Sequence, residues 1–224
     1  MNHNTDTLLI FDCDGVLVDS EPLANRTMIQ CLQNEGFDVN DRYAIEHFHG
    51  IADKDCVAHI EAVFRRKVSG KFLETLAVLT EEEIKNTLQP IPNIREALAA
   101  LPYTKCVASG SEPEKIELSL QVTGLKSFFG HVYSSSQVQR GKPYPDVFLF
   151  AAKEMGFAAN QCIVIEDSRP GVQAGLSAGM KVLQYRPTSE NDAKLPEAVT
   201  VFSDMADLPD LVRRLISIKG IGLT

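Results

Sequence analysis

The sequence predicts an α/β protein whose core is a doubly wound parallel sheet, interrupted by an inserted α-helical bundle. Short apolar runs recur along the chain, and amphipathic segments of helix length separate most of them. Such strand–helix alternation is typical of parallel sheets with right-handed crossovers and helices on both faces. One interval, residues 23–88, has helical periodicity and no convincing strand. A chain of 224 residues can supply both a core and a smaller inserted unit.

The predicted strands are short and apolar, as strands buried on both faces of a sheet usually are. The first is Leu8–Phe11, a four-residue apolar run bounded by polar residues. The other strands are expected at residues 106–108, 132–133, 162–165 and 182–183. We assign these strands to a core domain formed by residues 1–18 and 89–224.

The core helices are predicted from the positions of proline and glycine. Proline is favoured at the first helical position, and glycine commonly follows the last one. These signals place helices over residues 114–123, 147–155 and 172–178. Gly156 and Gly179 end the second and third of them.

The insertion is predicted to be helical from its amphipathic periodicity. Its helices are expected at residues 23–34, 44–48, 55–67 and 71–79, with 80–87 a further turn or helix. The run Pro90-Ile91-Pro92 marks its end. We therefore predict a separate helical domain over residues 19–88.

Composition excludes several classes of protein. The net charge is −8, and no block of Lys and Arg is present, which argues against nucleic-acid or membrane-surface binding. No apolar run approaches the ~20 residues that span a bilayer. The five cysteines are scattered without a Cys-x-x-Cys pair, so we expect reduced thiols in a cytoplasmic protein. We also expect a monomer.

Two acidic pairs follow predicted strands. Asp12 and Asp14 come directly after Leu8–Phe11, and Glu166 and Asp167 come after residues 162–165. Ligands in open α/β sheets bind at the carboxyl ends of the strands. Carboxylates gathered there are costly unless a cation or the chemistry of a substrate uses them. One or two carboxylates plus a phosphate oxygen are typical ligands of Mg²⁺.

Two further signals predict a site for an anion. Ser109, Gly110 and Ser111 lie where a strand leads into a helix, and such a helix start offers a hydroxyl and free backbone N–H groups. Lys142 lies in a loop stiffened by Pro143 and Pro145, which could hold its ammonium group against a phosphate.

Each signal has an ordinary structural explanation when it stands alone. An acidic pair after a strand is often a helix cap, Ser-Gly-Ser is usually a turn, and a lysine before proline usually lies at the surface. All four signals fall at predicted strand ends, however, and this combination favours a phosphoryl-transfer site.

The motifs resemble those of the haloacid dehalogenase superfamily, in the branch with a helical cap inserted after the first strand. The run DCDGVLVDSE at residues 12–21 resembles the nucleophile loop of that family, and Ser109 resembles its second motif. Lys142 with Pro143, Pro145 and Asp146 matches the lysine motif, and residues 166–171 match the acidic motif. The resemblance implies a Rossmann-like core with a helical cap. Its nearest members are sugar-phosphate phosphatases and β-phosphoglucomutases, and 6-phosphogluconate phosphatase-like enzymes are nearest of all.

The resemblance implies catalytic roles for four residues. Asp12 would attack phosphorus to form an aspartyl-phosphate. Asp14 would protonate the leaving group and then deprotonate the attacking water. Ser109 and Lys142 would bind the transferring oxygens. The backbone N–H groups of Cys13, Asp14 and Gly110 would complete the phosphate site.

The resemblance also implies a Mg²⁺ site and a small phosphorylated metabolite as substrate. Asp12 and Asp167 would bind the ion through their carboxylates, and Asp14 through its backbone carbonyl. Glu166 would act at the metal through water.

The residues bear on four alternatives to a phosphatase. Dehalogenases of the family lack a second acid, so Asp14 favours phosphoryl transfer, and no cap lysine is marked for phosphonate hydrolysis. A phosphomutase remains open, although the run His47-Phe48-His49-Gly50 stands where mutases carry cap cations. His47 and His49 are therefore candidate substrate-binding residues, or a solvated loop pair. A binding or regulatory protein of the same fold also remains open.

Overall fold

The computed structural model describes residues 6–48, 51, 53–187 and 198–217. In these ranges six strands form one parallel sheet in the order β3-β2-β1-β4-β5-β6. The strands are β1 (Leu8–Phe11), β2 (Thr104–Ser109), β3 (Val132–Ser134), β4 (Cys162–Glu166), β5 (Lys181–Tyr185) and β6 (Val199–Phe202). The strand order reverses direction between β1 and β4, as in a doubly wound sheet. This confirms the predicted fold class.

The three predicted core helices are present, and two further helices, at Ile94–Ala100 and Leu208–Ser217, were not predicted. The α-helices are α1 (Glu21–Asn34), α2 (Asp41–His47), α3 (Asp53–Phe64), α4 (Phe72–Thr87), α5 (Ile94–Ala100), α6 (Pro113–Val122), α7 (Asp146–Glu154), α8 (Arg169–Ser177) and α9 (Leu208–Ser217). None of the helices in the described ranges has the length and apolar character needed to cross a membrane.

Contacts divide the chain into two compact units. One comprises Met1–Val18 and Pro90–Thr224, and the other comprises Asp19–Gln89. The described residues of the second unit contain only helices as regular structure, α1 to α4. Its core is apolar, with Leu32, Ile60 and Phe72 almost inaccessible to solvent.

The core of the first unit lies on the sheet. Each residue of β1 is fully buried, which explains why this strand has no polar face. The side chains of Phe148 in α7 and Ala174 in α8 are also fully buried and pack in the same cluster as Leu8 and Ile10. Helices therefore cover the sheet and fix the positions of its strand ends.

The register of the central strands aligns their carboxyl ends. Phe11 of β1 lies opposite Val107 of β2 and Ile165 of β4. The Asp12 N–H donates to the Ile165 carbonyl at 2.9 Å, so the pairing continues one residue beyond β1. The residues that follow the three strands consequently reach the same edge of the sheet.

Candidate active site

The candidate site lies at the carboxyl edge of the three central strands. Asp12 and Asp14 follow β1, Ser109 ends β2, and Glu166 ends β4. Parallel pairing of β2 and β4 with β1 brings these segments together, although up to 154 residues separate them in sequence. This edge is where doubly wound sheets bind their ligands.

Three carboxylates form a compact cluster at this edge. One oxygen from each of Asp12, Glu166 and Asp167 lies within 4.8 Å of the other two. Asp12 and Glu166 are buried, and Asp167 is half-buried. Like charges so close in a buried place repel one another strongly, and an oxygen-only donor set of this kind suits a hard divalent cation.

Burial and mutual repulsion raise the pKa values of two carboxyl groups in this cluster. Burial raises the pKa of Asp12 to about 7, with Glu166 and Asp14 adding to the rise and Lys142 opposing it. Burial also raises the pKa of Asp167 to about 9, reinforced by Glu166 and Asp12. The cluster therefore holds protons at neutral pH unless another cation compensates its charge.

Lys142 supplies one positive charge to the cluster. Its Nζ lies 2.9 Å from Asp12 Oδ1 and 2.6 Å from Glu166 Oε1, and its side chain is only 9% exposed. Burial lowers the pKa of Lys142, but Asp12 and Glu166 raise it by more, so the net shift is upward. The ammonium group is thus held charged beside Asp12, the nucleophile that the family resemblance predicts.

The loop that carries Lys142 is closed by a pair of ionic contacts. Arg140 donates to both oxygens of Asp146, at 3.2 Å from Nε and 2.9 Å from the second nitrogen. The Tyr144 N–H donates to the Gly141 carbonyl at 3.1 Å, which closes a turn around Lys142 and Pro143. These contacts limit the positions that the lysine can occupy.

Glu166 has hydrogen-bond partners at both carboxylate oxygens. Oε1 accepts from Lys142, and Oε2 accepts from the Ser168 N–H at 2.7 Å and the Ser168 hydroxyl at 2.9 Å. The same hydroxyl accepts the Gly171 N–H at the start of α8, so Ser168 is both a helix cap and a clamp on Glu166.

Two glycines make room for the acidic cluster. A Cβ at Gly15 would lie 2.1 Å from Asp167 Oδ2, and a Cβ at Gly171 would lie 1.7 Å from Glu166 Oε1. Gly15 also has φ +76°, which favours glycine. The acidic motif thus depends on glycine at two separate places.

Gly171→Ala is expected to destabilise the protein by about 1–3 kcal/mol, the usual cost of forcing atoms into a packed site. Alanine would ordinarily favour a helix by up to ~1 kcal/mol over glycine, but Glu166 is held on both oxygens and cannot move aside freely. Urea unfolding measures the change. Gly130→Ala is the matched control, because its Cβ would meet nothing within 4 Å. Equal stability of the two variants would contradict this account.

The side chain of Asp14 has partners of its own. The Ser111 hydroxyl donates to Asp14 Oδ2 at 2.6 Å, and Lys115 Nζ lies 3.5 Å from Oδ1. From the sequence, Ser111 was predicted only as part of the anion site that follows β2, and Lys115 was not identified. A hydroxyl and a cation placed after a predicted active-site strand were the available signal, but nothing in the sequence linked them to Asp14.

The predicted phosphate-binding residues lie beside these groups. Ser109 is 1% exposed, and its hydroxyl oxygen accepts the Ser111 N–H at 3.1 Å. A side chain at Gly110 would meet no atom within 4 Å, so this residue leaves open space. Cys13 is buried, and burial raises the pKa of its thiol, so the side chain stays protonated. Phosphate binding by these residues stays a prediction.

Of the two histidines predicted to bind substrate, His47 lies in the described part of the helical unit. The ring of His47 stacks on His59, with 5.0 Å between ring centroids, and lies 4.5 Å from the ring of Tyr43. The Tyr43 hydroxyl is 3.0 Å from His59 Nε2. His49 lies outside the described residues. Substrate binding by either histidine stays a prediction.

The chain resembles phosphatases in sequence. A 6-phosphogluconate phosphatase of Escherichia coli is 28% identical over 209 residues, covering 91% of this chain and 93% of the relative. A fructose-1-phosphate phosphatase of the same organism is 28% identical over 190 residues, covering 80% of this chain and 95% of the relative.

Solved structures and a family model agree with this resemblance. A haloacid dehalogenase family hydrolase from Deinococcus radiodurans, solved with bound phosphate and sodium, superposes with a TM-score of 0.74. It is 28% identical in sequence, and the match covers 98% of each chain. The model of the haloacid dehalogenase-like hydrolase family matches residues 9–185, which include the acidic cluster, Ser109 and Lys142. The chain therefore belongs to the haloacid dehalogenase-like hydrolase family, as its motifs predict.

Proposed function

We propose that this protein is a Mg²⁺-dependent phosphatase that hydrolyses a small phosphorylated metabolite through an aspartyl-phosphate intermediate. The observation that carries the proposal is that the side chains of Asp12, Asp167 and Lys142 lie close together at one edge of the sheet. A sugar phosphate or a phosphorylated sugar acid is the substrate class we favour. The names of the two Escherichia coli relatives support that class.

The acidic cluster fits a divalent cation in both chemistry and charge. Its donors are oxygens, and burial together with the repulsion between its carboxylates raises the pKa values of Asp12 and Asp167 despite the charge of Lys142. Asp12 and Asp167 would hold Mg²⁺ through their carboxylates, with the Asp14 backbone carbonyl as a further ligand. Glu166 would act through water, because Lys142 and Ser168 already engage its oxygens. When bound, Mg²⁺ would neutralise charge on the phosphate oxygens and orient the substrate.

Asp12 and Asp14 would divide the chemistry between them. A carboxylate oxygen of Asp12 forms a bond to phosphorus while the bond from phosphorus to the leaving oxygen breaks. Asp14 gives its proton to that leaving oxygen, so an alcohol departs. Asp14 then takes a proton from water, whose oxygen attacks phosphorus and releases phosphate and the free Asp12 carboxylate.

Lys142 and Ser109 would support the transferring group. Lys142 Nζ lies within 3 Å of the proposed nucleophile, so its charge can stabilise negative charge that develops on the phosphoryl oxygens. Ser109 ends the strand beside β1 and would offer its hydroxyl to the same oxygens.

A panel of phosphorylated metabolites tests the proposed function. It should include 6-phosphogluconate, fructose 1-phosphate, other hexose phosphates, phosphoglycolate and nucleotides, each with Mg²⁺ and with phosphate release as the readout. We expect kcat/KM to be highest for a sugar phosphate or phosphorylated sugar acid. EDTA should abolish the reaction, and excess Mg²⁺ should restore it. Absence of phosphate release, or full activity in EDTA, would contradict the proposal.

Mg²⁺ affinity is expected to rise steeply between pH 6 and pH 9. Without a cation the pKa of Asp12 is about 7 and that of Asp167 about 9, so protons occupy these ligands at pH 6 and must leave when the ion binds. Both folded-state values exceed the ordinary 3.8, so the metal-free protein loses stability as pH rises from about 4 towards them. Mg²⁺ should therefore raise Tm most at pH 9.

Calorimetric titration in two buffers of different ionisation enthalpy gives the number of protons released. Asp167→Asn is the informative variant, because it removes one ligand and the most strongly shifted carboxyl. Its Tm shift with Mg²⁺ should be small at every pH. An affinity that is independent of pH in the unaltered protein would contradict the cation assignment to these carboxylates.

A further inference from the structure

The side chain of Asp14 accepts a hydrogen bond from Ser111, in the loop between β2 and α6. Main-chain hydrogen bonds fix the backbone around Asp14, since the Gly15 N–H donates to the Val18 carbonyl and the Leu17 N–H donates to the Cys13 carbonyl, both at 2.9 Å. These backbone hydrogen bonds do not themselves set the side-chain torsions of Asp14. The Ser111 hydroxyl, which donates to Oδ2 at 2.6 Å, restricts those torsions.

Ser111 is itself anchored on both sides. Its N–H donates to the Ser109 hydroxyl oxygen at 3.1 Å, and its carbonyl accepts the Ser134 hydroxyl at 2.6 Å. Ser134 ends β3, is fully buried, and receives a further restraint from Gln137, whose Oε1 accepts the Ser134 N–H at 2.8 Å. Hydrogen bonds thus connect the ends of β2 and β3 to the carboxylate of Asp14.

We propose that Ser111 is a positioning residue for the acid/base Asp14, with Ser134 holding Ser111 in place. This inference rests on the proposed phosphatase function. By engaging Oδ2, Ser111 restricts the position of the carboxylate that would give a proton to the leaving oxygen and take one from water. Catalytic groups must be held to within about 0.5 Å of their productive position, and the hydrogen bond from Ser111 supplies a restraint of this kind.

Lys115 assists this arrangement more weakly. Its Nζ is 3.5 Å from Asp14 Oδ1, and the two side chains are 35% and 31% exposed, so solvent screens the pair. The hydrogen bond from Ser111 is shorter, at 2.6 Å, so Lys115→Met should cost less activity than Ser111→Ala.

The test compares two leaving groups in Ser111→Ala. An alkyl phosphate, such as the best sugar phosphate of the panel, needs a proton on its departing oxygen, whereas p-nitrophenyl phosphate releases a stable phenolate without one. We expect kcat/KM for the alkyl phosphate to fall about 10–10²-fold, a part of the ~10²–10⁴-fold that general acid–base catalysis contributes. The value for p-nitrophenyl phosphate should change by less than about threefold.

Rapid mixing with p-nitrophenyl phosphate separates the two half-reactions. Ser111→Ala should retain the rate of the initial nitrophenolate release, because formation of the aspartyl-phosphate needs no acid with this substrate. Its later steady rate should fall, because Asp14 must still deprotonate water. Ser111→Thr keeps a hydroxyl and should recover most of the loss. Ser119→Ala removes another buried serine hydroxyl, in α6, and should change neither phase.

The possible outcomes separate this inference from the function on which it rests. If the unaltered protein is active and Ser111→Ala lowers kcat/KM equally for both substrates, or for neither, the positioning role alone is overturned. Failure of Ser111→Thr to recover activity would do the same. Unaltered protein that releases phosphate from neither substrate would overturn the proposed function and this inference with it.

Discussion

Asp12→Asn is expected to lower kcat by about 10⁴–10⁶-fold, in the range seen when a catalytic nucleophile is removed. An amide is a poor nucleophile, so no phosphoryl group should become bound to the enzyme. Acid quenching of the unaltered enzyme during turnover, followed by mass spectrometry, should reveal a phosphorylated form that the variant lacks.

The fold of Asp12→Asn is expected to survive. Burial and its acidic neighbours raise the pKa of Asp12, so the charge of this carboxyl is costly and its removal relieves repulsion. Lys142 keeps Glu166 as a partner at 2.6 Å. Tm should therefore stay within a few degrees of the unaltered value. Asp207→Asn, which changes an exposed carboxyl, is the control and should retain full activity. Substantial turnover by Asp12→Asn would rule out the assigned nucleophile.

Asp14→Asn is expected to lower kcat for a sugar phosphate by about 10²–10⁴-fold, the usual contribution of a general acid–base group. Its carboxylate lies outside the cluster formed by Asp12, Glu166 and Asp167, so the Mg²⁺ concentration for half-maximal rate should change little. Initial nitrophenolate release from p-nitrophenyl phosphate should continue, and the phosphorylated enzyme should accumulate because water is no longer activated.

Asp167→Asn is the matched comparison for this variant. It removes a carboxylate from the cluster, so it should raise the Mg²⁺ requirement while leaving acid–base chemistry to Asp14. The same change from Asp to Asn should therefore lower mainly kcat at position 14 and raise mainly the Mg²⁺ requirement at position 167. Wild-type turnover in Asp14→Asn would show that another group moves the proton, and a large rise in its Mg²⁺ requirement would place its carboxylate at the metal.

Much of the fold was predictable because strands buried in the sheet appear in the sequence as short apolar runs. The four apolar residues of β1 and the apolar run of β4 are strands in the structure as predicted. The edge strand β6 was not predicted, because Val199–Phe202 is only partly buried and mixes polar with apolar residues. The predicted helix 71–79 and the segment 80–87 form one continuous helix, α4.

The sequence by itself determined the family, the central strands and the segments that carry Asp12, Ser109, Lys142 and the acidic pair at residues 166–167. These features are local, since each depends on an apolar run and the few residues that follow it. Tertiary structure decided how those segments interact. Ser111 contacts Asp14 across 97 residues of sequence, and Lys142 contacts Glu166 across 24. The raised pKa values also come from burial and from charged neighbours such as Asp12 and Glu166, which the fold brings together, because desolvation and Coulomb interactions depend on distances in the folded protein.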